Sequence, residues 1–346
     1  MKITSLHVYP IKGLRGISLP STLLTPLGIP HDRTFMLFEL KPDATLTKIQ
    51  IDSHPRCARF WQEIIPSDSD SDQLAITFRD PDSPAPSEDT LTIPLTPALP
   101  DLSPITVSLH GSPAAAYRMP DAHATWFGAR LGVPVVFVYL GDGRREVLGS
   151  TLRPPAAATP APRGWLSSVT SYLGGSAEEE KPPAYLTFTD AGALLVTSEV
   201  SLHEINTTRL PADSPTGMFK FRPNVVVDGE GEEAWAEDFW GELEVGGTGD
   251  GRRNKVLLTG NCVRCMSLNV DYETGKMATG ELGTVLKKLA RDRRVDPGHR
   301  WSPVFGRYGF PVVGEGEGGG FVVGVGDEVM VTRRNEERTR WDWPGM

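Results

Sequence analysis

At 346 residues the chain is long enough for two domains with their own cores, or for one large α/β or β domain. Hydrophobic residues at 39% and charged residues at 23% are ordinary for a globular protein, so a fibrous or wholly disordered chain is excluded. The 35 basic against 44 acidic residues leave a net charge of −9, which repels nucleic acid and anionic membranes, so an anionic ligand needs a local basic site.

The opening "MKITSLHVYPIKG" has one early lysine and no apolar h-region, and reads neither as a secretory signal nor as a transit peptide. "ITSLHVYPI" and "RTFMLFEL" (33–40) are strand-like, with a stretch full of turn formers between them. "QLAITFRD" and "TLTIPL" continue the β pattern, separated by the Asp/Ser/Pro stretch 66–72 and the loop 80–89. Asp121 is placed to cap a helix through "AHATWFGARLG", which Gly132 ends. The longest apolar run, Val133 to Leu140, falls short of the ~20 residues that span a bilayer, so no transmembrane segment is expected.

Residues 141–184 are rich in Pro, Ala, Gly and Ser and read as a mostly disordered insert with one apolar island, "WLSSVTSYL". Beyond it, 185–189 is a strand, Asp190–Gly192 a turn and Leu194–Val196 a second apolar run. Ser198 then caps a helix carrying Leu202 and Ile205. "FRPNVVVDG" and "NKVLLTG" are strands, and "MSLNVD" is strand-like. "ELGTVLKKLARDR" (281–293) is the clearest helix, with Leu282, Val285, Leu286, Leu289 and Ala290 on one face. "GFVVGVGDEVMVT" reads as a closing hairpin around a Gly-Asp turn. The division is therefore 1–140, an insert at 141–184, 185–334, and a tail at 335–346.

Two of the three cysteines stand as Cys262-x-x-Cys265, with Arg264 between them. So few cysteines point to a reducing, cytoplasmic setting, while mitochondrial association stays open. Four readings of the pair remain: a redox dithiol, a zinc site completed by His54 and Cys57, one thiolate as sole protein ligand of a cofactor-borne metal, or plain buried thiols. Lys12 and Arg15 stand beside Gly13 and Gly16, where backbone N–H groups can approach an anion. Arg33 precedes an apolar strand. Arg222 is expected to be extended because Pro223 follows it, and Asn224 offers both a donor and an acceptor. Thr189, Asp190 and Gly192 form a turn of the kind that contacts anions, or an ordinary Asx turn with a helix cap.

Taken in order, "YPIKGLRG", "HDRTFML", "FTDAGALLVTSEVSLHEIN", "FRPNVVVDG…AWAEDFW", "VRCMSLNVDYETG", "SPVFGRYGF" and "VGDEV" resemble the MOSC-domain proteins, in particular the mitochondrial amidoxime-reducing component family. The resemblance spans about 1–140 and 185–332. It implies an α+β, mainly β fold: a MOSC β-barrel domain preceded by an N-terminal MOSC-type β domain. It also implies a molybdenum cofactor, a pterin dithiolene ending in a phosphate, held between the two. Cys265 would be the single thiolate ligand of the metal and Cys262 a bystander, with Val263 and Arg264 in the ligand loop. Lys12, Gly13 and Arg33 would contact the cofactor from the N-terminal side. Thr189, Asp190, Ala191 and Gly192 would do so from the turn, and Arg222 and Asn224 from the "FRPN" strand. Gly13 and Gly192 stand where relatives often carry serine. The activity implied is Mo(VI)/Mo(IV) reduction of a small N-hydroxylated or N-oxygenated substrate, with electrons from a cytochrome b5-type protein and its flavin reductase. Two other classes remain: a molybdenum-cofactor or sulfur carrier without turnover, and a zinc-stabilised binding module.

Overall fold

The computed structural model describes residues 1–67, 72–80, 89–155, 181–246, 253–314 and 319–345. Most of the stretch 66–72, the loop 80–89, "WLSSVTSYL" and most of the glycine-rich 245–251 lie outside the described residues.

Strands dominate. An eight-stranded sheet runs in the order Ile17–Leu19, Ile3–Val8, Val225–Val227, Leu194–Ser198, Val304–Val312, Arg253–Val263, Trp240–Gly246, Val329–Arg334. Its pairs are antiparallel except Leu194–Ser198 on Val225–Val227. Apolar residues facing inward along these strands, among them Leu6, Val196, Val227, Leu243 and Leu258, bury one core. A five-stranded antiparallel sheet, Leu46–Lys48, Phe35–Leu40, Val135–Tyr139, Ser112–Arg118 and Ser103–Leu109, forms the body of the N-terminal half. A three-stranded meander, Phe60–Ile65, Gln73–Phe78 and Thr90–Pro94, and the helix Asp121–Leu131 close a second core around Phe60, Phe127 and Phe137. That helix ends at Gly132 in the left-handed region (φ 77°), as its sequence requires, and Pro120 rather than Asp121 holds the N-cap position.

The halves interleave. Strand Ile3–Val8 belongs to the eight-stranded sheet through Ile3↔Val227 and Leu6↔Val225. In return, Val270 and Tyr272 are buried in the N-terminal core.

Several expectations are corrected. Residues 141–155 are packed, not part of a loose insert. Arg145–Glu146 pairs with Tyr185–Leu186, and Val147 and Leu152 are fully buried. The tail at 335–346 is anchored as well, because Trp341 and Trp343 bury their rings in the same cluster. The 281–293 segment divides into a 3-10 turn, Gly280–Thr284, and a short α-helix, Val285–Leu289. Gly280 and Gly283 weaken its first turn. "MSLNVD" begins as a 3-10 turn, Met266–Asn269. The C-terminal apolar runs do not pair with each other. Phe321–Gly324 pairs with Ser21–Leu24 and Val329–Arg334 with Trp240–Gly246, since the turn at Asp327 sends them to different sheets. Among the described residues no helix is long and apolar enough to cross a membrane.

Candidate functional site

The two halves meet at a narrow cleft lined by the ends of their strands. Lys12 and Gly13 reach it just after strand Ile3–Val8, and Arg33 just before Phe35–Leu40. Thr189, Asp190 and Gly192 approach from the turn before Leu194–Ser198, and Arg222 and Asn224 from the entry to Val225–Val227. Val263, Arg264 and Cys265 come from the end of the long strand Arg253–Val263 and the residues after it. Ala191 is the exception: it is fully buried behind the cleft, in the cluster that contains Tyr308 and Trp341.

One wall is built on Asp190. The Lys12 ammonium lies 2.6 Å from Asp190 Oδ1, and His110 Nε2 is 3.1 Å from the same oxygen. Burial draws the Lys12 pKa down to about 8, against the opposing pull of Asp190. Burial would raise the Asp190 carboxyl, but Lys12 and His110 outweigh it and hold the group well below the usual carboxylate range. The turn itself is fixed from behind by Arg145, whose buried guanidinium donates to the carbonyls of Leu109, Thr189 and Asp190.

The second wall is an arginine pair on one phenol. Tyr9 carries the Arg33 and Arg222 guanidiniums 4.5 and 4.4 Å from its ring centroid. Arg33 is locked by Asp32 at 2.5 Å, the Asn224 side-chain oxygen at 3.2 Å and the Arg222 carbonyl at 3.2 Å. Arg222 Nη1 donates to the Leu14 carbonyl at 2.6 Å, while its Nη2 is buried without a hydrogen-bond partner among the described residues. Both arginines have left-handed backbone, φ 50° for Arg33 and 58° for Arg222. The extended conformation expected for Arg222 is therefore corrected. Pro223 disfavours right-handed helix before it, and the left-handed well turns the Arg222 carbonyl to Arg33 instead.

The thiols differ sharply. Cys262 is 3% exposed; it accepts from Arg264 Nη1 at 2.9 Å and donates to the Tyr308 hydroxyl at 3.2 Å. Burial pushes its pKa up, against the pull of Arg264, and favours the neutral thiol. Arg264 also donates to the Phe221 carbonyl at 2.8 Å, and its Nε is buried without a partner among the described residues. Cys265 is exposed at the cleft, its sulfur 3.2 Å from Ser267 Oγ. Cys57 is fully buried in the N-terminal core, its pKa raised by burial to about 12, and His54 faces Glu39 at 3.5 Å. Among the described residues no group of three or more His, Cys, Asp or Glu side chains is arranged to hold a metal, so the zinc set of His54, Cys57, Cys262 and Cys265 does not assemble. All three cysteines are free, and one member of the candidate dithiol is buried while the other is exposed.

Residues 183–330 match the family model described as the MOSC domain, and residues 1–134 match the MOSC N-terminal beta barrel domain. The chain belongs to the MOSC family. Human mitochondrial amidoxime-reducing component 1 is 34% identical over 132 residues, 37% of this chain and 35% of the human protein. The mouse protein of the same name is 25% identical over 88% of this chain and 76% of its own length. A rice molybdenum cofactor sulfurase is 26% identical over 80% of this chain, which spans only 29% of the sulfurase.

In this MOSC protein the cleft glycines Gly13 and Gly192 have local causes. Gly13 sits at φ 89°, where a side chain is strained. A Cβ on Gly192 would lie 2.6 Å from the Tyr308 Cβ and 3.1 Å from the Gly309 nitrogen, too close without movement. Sequence reasoning missed Tyr9, Asp32, His110, Arg145 and Tyr308. Asp32 had a signal, since "HDR" puts an acid beside a buried-strand arginine. Arg145 had none, because it stands in a stretch whose composition reads as loop.

Proposed function

We propose that the MOSC cleft holds a molybdenum–pterin cofactor whose metal takes the Cys265 thiolate, and that the chain reduces N-hydroxylated or N-oxygenated compounds. The observation that carries this reading is an exposed thiol beside buried cations whose donors lack partners. Arg222 Nη2, Thr189 Oγ1 and Arg264 Nε are all buried at this cleft without a hydrogen-bond partner among the described residues. Unpartnered buried donors are costly unless a ligand takes them up, and a dianionic phosphate with polar pterin edges fits that demand. Lys12, Arg33 and Arg222 would hold the anionic end, and Asn224 and Thr189 would orient the polar body. Cys265 supplies the soft donor that molybdenum favours.

A bound molybdenum cofactor supplies two-electron oxygen-atom transfer. Reducing an N–OH to N–H breaks the N–O bond, consumes two electrons and two protons, and releases water. The electrons come from an external one-electron protein donor, a cytochrome b5-type protein with its flavin reductase in our reading. Arg264 is tied by Cys262 and the Phe221 carbonyl and lines the cleft with Cys265, which keeps a fixed positive charge near that thiol.

The test is molybdenum and pterin analysis of the purified chain, then benzamidoxime reduction with a chemical reductant. About one molybdenum per chain, with reduction lost in Cys265→Ala, is expected. Full turnover by Cys265→Ala overturns the proposal. The matches to molybdenum cofactor sulfurases favour one second reading, a carrier without turnover. A loaded chain that passes its cofactor to a cofactor-free molybdoenzyme but reduces nothing would establish that reading instead.

A further inference from the structure

Beside the cleft lies a second groove of about 750 Å³, which shares with it only Asp52, Arg264 and Cys265. Its volume is within the range of small-molecule sites, about 300–1,000 Å³. Cys265 stands at the junction, so a molecule in the groove reaches the same thiol that lines the cleft, away from Lys12 and Asp190, which do not line the groove.

The walls are apolar where a folded surface has no need to be. Trp301 is 82% exposed and Met266 47% exposed, and both line the groove with Leu286, Ala290 and Pro303. Large apolar side chains left open around a concave surface mark a ligand site more often than chance exposure does.

The charges are equally selective. Lys287, Arg291 and Arg294, at helical spacing on and after the helix Val285–Leu289, are exposed and line the groove. None of the three is paired with a carboxylate among the described residues. Their neighbours in the same segment are paired: Lys288 with Glu281, Arg293 with Asp238, and Asp292 with Arg209. Facing the three free cations is one acid, Asp52. In a chain of net charge −9 such a wall is a local reversal.

We propose that this groove binds the body of the substrate, and that the substrate is an aromatic acid. Its ring lies against Trp301, Met266 and Leu286, and its carboxylate faces Lys287, Arg291 and Arg294. The orientation of an N-hydroxyl group toward Cys265 rests on the functional reading above; the preference for an aromatic anion does not.

The experiment is calorimetric titration of the full-length chain with 4-carboxybenzamidoxime and with 4-(aminomethyl)benzamidoxime, which differ in charge at the remote end. The carboxylate should bind about tenfold more tightly, the sum of three screened surface attractions. Combining Lys287→Glu, Arg291→Glu and Arg294→Glu should invert the order, and a circular dichroism spectrum like the parent's checks that the fold is kept. Arg291→Ala alone should cost the carboxylate about twofold. Trp301→Ala should weaken both compounds. Equal affinities in the parent chain, or a preference that survives the triple reversal, overturns the proposal. So does a reversal that leaves binding unchanged and slows only turnover with an acidic protein donor, since the basic wall then serves that partner. The titration needs no molybdenum, so the two readings fail separately. A charge preference in a chain without molybdenum sinks the cofactor and keeps the groove; molybdenum-dependent reduction without the preference does the reverse.

Discussion

Replacing Cys262 by alanine tests whether this thiol is part of the site or a bystander beside Cys265. The sulfur takes the Arg264 Nη1–H at 2.9 Å and donates to Tyr308 at 3.2 Å, in a position 3% exposed. Removing it leaves a buried charged donor without its acceptor, which costs about 1–3 kcal/mol. The small void adds about 1 kcal/mol. The expected loss is therefore about 2–4 kcal/mol, with Arg264 held by the Phe221 carbonyl alone and cofactor retention reduced with it. Cys262→Ser should cost about 1 kcal/mol or less, because a hydroxyl can both accept from Arg264 and donate to Tyr308. Cys265→Ala should change stability by no more than about 0.5 kcal/mol, since its side chain is exposed, and yet abolish reduction. Urea denaturation followed by circular dichroism, with molybdenum content measured on the same samples, reads all three. A Cys262→Ala chain that unfolds at the parent midpoint and keeps its molybdenum would refute the role of Cys262 as the anchor of Arg264.

Gly192→Ala should destabilise by about 1–3 kcal/mol in thermal or urea unfolding, because the new methyl meets Tyr308 and the Gly309 backbone. Sulfate affinity of the cofactor-free chain should fall as pH rises through about 8, where the burial-lowered Lys12 ammonium loses its proton, and Lys12→Arg should flatten that profile. A wild-type titration that is level from pH 7 to 9 contradicts the assignment of Lys12 to the anion. Arg15→Ala should cost about 1.5–3 kcal/mol of stability. Its guanidinium joins the carbonyls of Ala58 and Tyr272 and lies 4.1 Å over the Trp61 ring; a stability unchanged in urea denies that tether.

The family and the line-up of cleft residues were legible in the sequence because each lies in a short, ordered motif at a strand end. Local context alone left Lys12, Arg33, Asp190, Arg222 and Cys265 open to bland readings; the resemblance grouped them, and the structure lines one cleft with all five. The supports were not legible, because they come from elsewhere in the chain. Tyr9 serves Arg33 and Arg222, and Arg145 holds a turn some 45 residues away, through contacts that sheet order alone creates. Local rules also reached too far at Arg222, where proline's effect on its predecessor excludes one backbone region and does not choose between the others. The C-terminal runs show a similar limit. Alternation identifies Phe321–Gly324 and Val329–Arg334 as strands, but their partners are decided by which sheet edges stand open.

The pairing of Ile3–Val8 with Val225–Val227 has a consequence for synthesis on the ribosome. The first strand leaves the exit tunnel long before its partner exists. At about 5–20 residues per second, the wait for some 217 further residues is about 10–40 s. Throughout that interval an apolar strand with Ile3, Leu6 and Val8 offers an unpaired edge to any neighbour. Co-translational folding can complete the sheet around Phe35–Leu40 first, but the eight-stranded sheet is completed last, around strand Ile3–Val8. Expression of residues 1–140 alone should therefore yield a chain that aggregates through its first strand, and a chaperone that shields nascent amino-terminal segments should raise the yield of the whole protein.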